Sequence, residues 1–284
     1  MVPIGRTVIA GLALTAWFCA LFSASPALAV ERCLALASAP AVGPRIERTN
    51  FRPRVPETRF THQVQLKREE ARLTFVGHAT FLIESAEGVS IATDYNDYVK
   101  PSVMPDIVTM NRAHDSHYTN FPEPGITHVL RGWRDTGEPA EHDVKFKDVR
   151  VRNIPTHIRG WTGGPAEFGN SIFVFEVGEF CIAHLGHLHH TLKPGQLGLL
   201  GQMDVVLVPV DGSYTMDLDG MIQVLKDIRA PLIVPMHYFS RLTLERFLGP
   251  IRQDFDVRES TEATIVLNRA MMPRKTEVLV LPGR

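Results

Sequence analysis

The chain has 284 residues, 44% of them apolar and 21% charged, with a formal net charge of −1. That length supports one large core or two small ones, and the near balance of acid and base excludes the strong basic field expected of a nucleic-acid binder or of a protein held on an anionic membrane. Charges of both signs are interspersed, without a charge block, low-complexity tract or fixed-period repeat.

Arg6 precedes an uncharged apolar run from Thr7 to Phe22, followed by Ser23-Ala24-Ser25-Pro26-Ala27-Leu28-Ala29. A basic start, a short apolar stretch and an Ala-x-Ala end describe a secretory signal peptide over residues 1–29, cut after Ala29. The mature protein is then expected to be periplasmic or secreted, with no stable membrane span left after cleavage. Cys19 leaves with the signal. Cys33 and Cys181 remain in a compartment that permits a bridge, although Cys181, inside the apolar run Phe180-Cys181-Ile182-Ala183, is expected as a buried free thiol. Residues 30–70, rich in Pro, Arg and Thr and poor in periodicity, read as an extended lead-in, and residues 71–284 as the folded domain.

Arg72–Val76, Thr80–Glu84 and Val89–Thr93 are strand-like and split by short turns containing Gly77 and Gly88, which predicts an antiparallel meander. Asp94 closes the third strand. Asp106–Met110 is a further apolar strand, and residues 118–147 are punctuated by Gly and Pro. Asp148–Ile154 alternates apolar and basic residues and reads as a strand ending at Pro155-Thr156-His157. Residues 159–169 read as a Gly-rich loop. Ser171–Val177 and Phe180–Ala183 form a hairpin around Gly178-Glu179. Lys193–Leu200 suits a short helix, Met203–Val208 a buried strand, Leu218–Ile228 an amphipathic helix, and Pro231–Pro235 a strand. A helix around Leu242–Leu248 and strands near Ala263–Leu267 and Glu277–Leu281 close the chain. Strands and helices in this order, without a long internal linker, predict one α+β domain in which two mixed β-sheets pack face to face with helices outside.

Strand ends repeatedly deliver histidine. His114 and His117 follow Met110, His157 follows Ile154, His237 follows Pro235, and the run His184-Leu185-Gly186-His187-Leu188-His189-His190 holds four histidines directly after a strand. Neutral imidazoles on separate strand ends that meet at one sheet edge can build a transition-metal site from residues distant in sequence. His62, His128 and His142 fall at no such place and read as surface residues.

Gly77-His78-Ala79-Thr80-Phe81-Leu82-Ile83-Glu84, Asp94, Pro105-Asp106-Ile107-Val108-Thr109, His114, His117, His157, His184-Leu185-Gly186, Asp204–Val210 and Ile233-Val234-Pro235-Met236-His237-Tyr238 together resemble the metallo-β-lactamase superfamily. The nearest likeness is to the Zn-dependent hydrolases akin to ascorbate-6-phosphate lactonases and N-acylphosphatidylethanolamine phospholipase D, over about residues 70 to 284. The resemblance implies an αββα sandwich, one or two Zn2+ ions at the sheet edge, and a metal-bound hydroxide that attacks an ester, lactone, amide or phosphodiester of a small-molecule substrate.

The sequence departs from that pattern. The family's His-x-His-x-Asp-His falls on Arg112, Ala113, His114, Asp115, Ser116 and His117, and its later bridging Asp falls on His187. With both carboxylates gone and an Arg at the first ligand position, two close divalent ions would repel each other without compensation, so one ion is expected rather than two. Its expected ligands are His117, His187 and His237, with His114 and His157 as competitors for the set. Asp115 is the candidate base or a further ligand, and Arg112 the candidate group for a substrate anion or oxyanion. His78, Asp94 and His184 are expected behind the ligands. Two readings follow: a metal-dependent hydrolase, or a member that kept the fold, lost catalysis and acts as a histidine-rich metal- or ligand-binding protein.

Overall fold

The computed structural model describes residues 33–34, 65–112, 114–159 and 165–283. The signal peptide expected over 1–29 and most of the lead-in lie outside the described residues. Among the described residues, no helix is long and apolar enough to cross a membrane.

Two mixed sheets form the body. In chain order the elements are β1 (Ala71–Gly77), β2 (Thr80–Ser85), β3 (Ser90–Ala92), β4 (Ile107–Met110), β5 (His128–Arg131), β6 (Asp143–Phe146), β7 (Val149–Arg159), β8 (Pro165–Val177), β9 (Phe180–His184), α1 (Pro194–Leu200), β10 (Val205–Pro209), α2 (Leu218–Ile228), β11 (Leu232–Met236), α3 (Arg241–Ile251), β12 (Asp256–Glu259), β13 (Thr264–Leu267) and β14 (Glu277–Val280). One sheet has the order β13-β1-β2-β3-β4-β5 and the other β12-β14-β11-β10-β9-β8-β7-β6. The expected meander is β1-β2-β3, antiparallel throughout. The adjoining pairs β3-β4 and β4-β5 are parallel, as are β9-β10 and β10-β11.

Alternation along the strands sets the layers, because successive side chains point to opposite faces. Val205 and Leu207 of β10, Leu232, Val234 and Met236 of β11, and Phe173 and Phe175 of β8 meet Leu73, Phe75, Phe81, Ile83, Ile91 and Ile107 from the other sheet in the central core. The intervening Val206, Val208, Ile233, Ile172 and Val174 face the other way and pack beneath the helices, against Leu200 of α1, Met221, Val224 and Leu225 of α2 and Phe247 and Leu248 of α3. Burial on both faces explains why β10 and β11 read as unbroken apolar runs. The outer face of the first sheet is covered by loop residues: Tyr95, Ile126 and Trp133 pack on Ala92, Val108 and Met110. Asp217 and Ser240 cap α2 and α3 by accepting from Gly220 N–H and Thr243 N–H.

Three strands went unread in the sequence: β5 and β6, inside the Gly- and Pro-punctuated stretch, and β12 after α3. The hairpin arms β7 and β8 are also longer than their sequence pattern suggested, and they pair as far as Arg159 with Pro165. Cys33 and Cys181 form a disulfide, not the free thiols expected. The reason lies in local docking. The carbonyl of Cys33 accepts from Gln202 N–H at 2.9 Å, just past the end of α1, and lies where a side chain on Gly201 (φ +77°) would stand.

Candidate metal centre

Both sheets bring histidine to one edge. β4 is buried along its whole length and is followed by Asn111, a buried amide with both ends engaged. Its Nδ2 donates to Asp94 Oδ1 at 2.9 Å, and its Oδ1 accepts from Ser171 N–H of the other sheet at 2.8 Å. A single 3-10 turn, Asp115–His117, then presents His114 and His117.

The second sheet supplies the rest. β9 ends at His184, and the chain turns at Gly186 with φ +60°. Only a glycine fits there, since a Cβ would stand 2.4 Å from Asn170 Oδ1 and 2.5 Å from Asn111 Nδ2. Asn170 Oδ1 accepts from His187 N–H at 2.7 Å and so aims that residue. β11 ends at Met236, and His237 follows at φ +55°, its N–H donating to the His78 carbonyl at 2.7 Å. His78 and Asp94 also carry positive φ, +51° and +42°. Three non-glycine residues in a sparsely populated region, gathered at one place, mark backbone strain concentrated where the side chains converge.

One ring nitrogen from each of His114, His117, His187 and His237 falls within 4.8 Å of the others. His114 Nε2 lies 3.0 Å from His187 Nε2, and His117 Nε2 lies 3.1 Å from His237 Nε2. The opposite ring nitrogens are all engaged. His117 Nδ1–H donates to Asp94 Oδ2 at 2.6 Å and His237 Nδ1–H to Asp211 Oδ1 at 3.0 Å. His187 Nδ1 meets His189 Nε2 at 2.7 Å, and His114 Nδ1 meets Ser116 Oγ at 2.7 Å. Ser116 Oγ also lies 3.0 Å from His78 Nε2.

Burial, reinforced by the neighbouring imidazoles, pushes His117 and His187 well below the ordinary histidine range. Burial also lowers His114 and brings His78 down to about 3 and His189 to about 4. Burial raises Asp94 to about 6, against the lowering effect of His184 and Asn111. Asp211 is held below the usual carboxylate range: against the cost of its burial stand hydrogen bonds from His237 and Thr215 and the backbone N–H of Ser213.

This protonation pattern tests whether a metal fits. Carboxylates on Nδ1 fix the proton of His117 and His237 at that atom. Their Nε2 atoms face each other at 3.1 Å, and with both rings in the neutral form each presents a lone pair to the same point. A cation between them removes the conflict. Four imidazole nitrogens suit Zn2+ or a neighbouring transition ion, and two carboxylates one layer out offset its charge.

The other candidates from the sequence lie apart. His157 stands inside β7, because that strand runs on to Arg159. Its ring lies 5.2 Å from Phe168 and 5.5 Å from His190, and it does not join the four. Arg112 is exposed and pairs with Asp135 at 3.3 Å. Asp115 is exposed and accepts from the Tyr98 hydroxyl at 2.8 Å. His184 Nε2–H donates to the Ala79 carbonyl, 2.8 Å away, and the same nitrogen is 4.0 Å from Asp94 Oδ2. Since a carbonyl only accepts, Nε2 carries the proton there. Asp211, Asn111 and Asn170 were missed. Asp211 had a readable signal, since it follows an apolar strand at the same edge as His237.

A family model described as the beta-lactamase superfamily domain matches residues 72–237. This chain belongs to the metallo-β-lactamase superfamily. Among its curated relatives in the superfamily, a UPF0173 metal-dependent hydrolase of Thermoplasma volcanium is 26% identical over 191 residues, covering 60% of this chain and 84% of the relative. Another, from Methanoculleus marisnigri, is 28% identical over 205 residues, covering 66% and 91%. A crystal structure from Thermotoga maritima, assigned as a Zn-dependent hydrolase of the metallo-beta-lactamase superfamily, aligns with a TM-score of 0.55 and 26% identity over 75% of this chain and 100% of that one. A crystal structure from Parabacteroides distasonis, assigned as a metal-dependent hydrolase and 14% identical with a TM-score of 0.52, shares the fold.

Proposed function

We propose that this superfamily member is an exported metal-dependent hydrolase that holds one Zn2+ or similar ion on His114, His117, His187 and His237 and acts on an ester, lactone, amide or phosphodiester of a small molecule. The observation that carries the reading is the opposed His117 and His237 Nε2 atoms, each ring fixed from behind by a carboxylate. A bound ion would supply Lewis acidity and a water whose pKa falls to roughly 7. The chain's own residues do the rest. Asp94 and Asp211 orient two rings and keep the proton on Nδ1. Burial keeps His117 and His187 neutral and able to ligate at physiological pH. His114, half-buried where the other three are buried, stands on the solvent side. Three buried imidazoles with His114 yielding leave a position open for reaction, whereas four held together close it.

One ion is favoured over two because the second site has lost its ligands. Ser116 and His187 stand where the superfamily pattern has carboxylates, and Arg112 turns outward to Asp135. The Cys33–Cys181 bridge supports export, since such bridges persist in oxidising compartments.

A second reading has its own observation. Four imidazoles saturate a tetrahedral ion, and among the described residues Asp115, the expected base, points to Tyr98. A closed centre of this kind would make the protein a metal-binding member without turnover. Metal loading followed by screening of generic esters and phosphodiesters, with and without chelator, separates the two. Hydrolysis abolished by chelation supports the enzyme; full loading without turnover supports the binder.

A further inference from the structure

Two aromatic rings stand exposed at the mouth of the histidine centre. Tyr214 is 65% exposed and Phe239 58%. Their ring centroids are 5.6 Å apart with an interplanar angle of 73°, an edge-to-face pair. Phe239 also reaches inward, its centroid 5.5 Å from the His237 ring and 5.7 Å from the His78 ring. The pair therefore continues outward from a candidate ligand as one apolar surface.

The backbones beneath both rings are fixed by the centre itself. The Tyr214 N–H donates to Asp211 Oδ2, and Asp211 Oδ1 holds His237. Phe239 lies between His237, in its strained conformation, and Ser240, the cap of α3. Scattered exposed aromatics are ordinary, but two in mutual contact on an immobilised base beside reactive groups offer a preformed apolar platform. Phe121, 83% exposed, shows no ring contact among the described residues. Tyr98 is committed through its hydroxyl to Asp115.

We infer that Tyr214 and Phe239 form the wall of the substrate site, and that the substrate carries an apolar acyl or aryl group lying on these rings with its polar, scissile end at the histidines. The inference rests on the proposed function and narrows it. The small, fully hydrophilic members of the ester and phosphodiester classes have nothing to place on this wall.

The test uses binding, so that it does not depend on which bond the protein cleaves. Zinc uptake by metal-free protein is titrated first, for the wild type and for Tyr214→Ser and Phe239→Ser. Acetohydroxamate, octanohydroxamate and benzohydroxamate, which chelate through the same head group, are then titrated calorimetrically into the zinc-loaded proteins. The wild type should bind one or both of the larger probes about tenfold more tightly than acetohydroxamate, the gain expected from burying about two methylenes. The octanoyl and benzoyl arms tell acyl from aryl. Each variant should take up zinc normally and lose most of that gain. Equal affinity for all three probes, absent binding of any, or a gain that survives in both variants overturns the wall while leaving the metal centre standing. Failure to take up zinc is seen in the first titration and removes the proposed function, and the wall with it.

Discussion

Asp211 Oδ1 accepts from His237 Nδ1 at 3.0 Å, while the same carboxylate also takes the hydroxyl of Thr215 at 2.6 Å and the N–H groups of Ser213, Tyr214 and Thr215. So many donors on one buried acid fix its position and keep it ionised. His237 therefore inherits both its orientation and its tautomer from the loop after β10. Asp211→Asn keeps the shape and removes the charge. Metal affinity should fall about 10- to 100-fold, as when other groups behind metal-bound histidines are removed. A chelator-competition titration reads the change.

Metal stoichiometry follows from which histidines converge. Elemental analysis of residues 30–284 should give one ion per chain, lost in His187→Ala and His237→Ala. His157→Ala and Arg112→Ala should retain it, because His157 sits within β7 and Arg112 turns to Asp135. Two ions per chain would defeat the charge argument and require a carboxylate such as Asp115 to swing inward.

Acid should destabilise the metal-free protein through its histidines. His117 and His187 have folded pKa values well below the usual 6.5. As pH falls below 6.5 the unfolded chain takes up protons that the folded chain refuses, so stability drops. Asp94, raised to about 6, acts in the opposite sense: it costs stability as pH rises from the ordinary carboxylate range through about 6. Two deeply buried imidazoles outweigh one carboxylate, so the Tm of the metal-free protein should decline from pH 7 to pH 5. A Tm that is flat or rises over that interval would contradict the assignment.

Gly186→Ala should be damaging for two separate reasons. The left-handed backbone costs a Cβ-bearing residue about 1–2 kcal/mol, and the intrusion on Asn170 and Asn111 adds about 1–3 kcal/mol. Urea unfolding should show the sum. Metal affinity should fall as well, since Asn170 would no longer aim His187.

The Cys33–Cys181 bridge spans 148 residues of sequence. Chain-entropy reasoning assigns a loop of this length about 5 kcal/mol. Cys33→Ser should lower denaturant stability by that order, with metal stoichiometry unchanged.

Much of this was legible in sequence. The apolar runs of β10 and β11 and the helical spacing of α2 announced themselves because burial on both faces, or on one stripe, leaves a periodic record. The structure brings His114, His117, His187 and His237 together, as their sequence positions suggested, because strand ends that face one sheet edge deliver their next residues to the same place. His157 was misplaced for a physical reason: a strand's end cannot be read when pairing with a long partner carries it further, and β8 carries β7 on to Arg159. Asp211 escaped because Pro209-Val210-Asp211-Gly212 looks like turn chemistry, which masked the signal of its place after an apolar strand. The bridge escaped because Cys33 docks by tertiary contact alone.

His114 and His117 descend from the six-stranded sheet, while His187 and His237 descend from the eight-stranded one. An ion held by all four is consequently a rivet between the two halves of the sandwich, added to the hydrogen bonds that already join them at that edge. Loading should then do more than equip the edge for chemistry. Amide hydrogens at the ends of β4, β9 and β11 should slow their exchange together when metal binds, because the ion adds one shared constraint to both sheets.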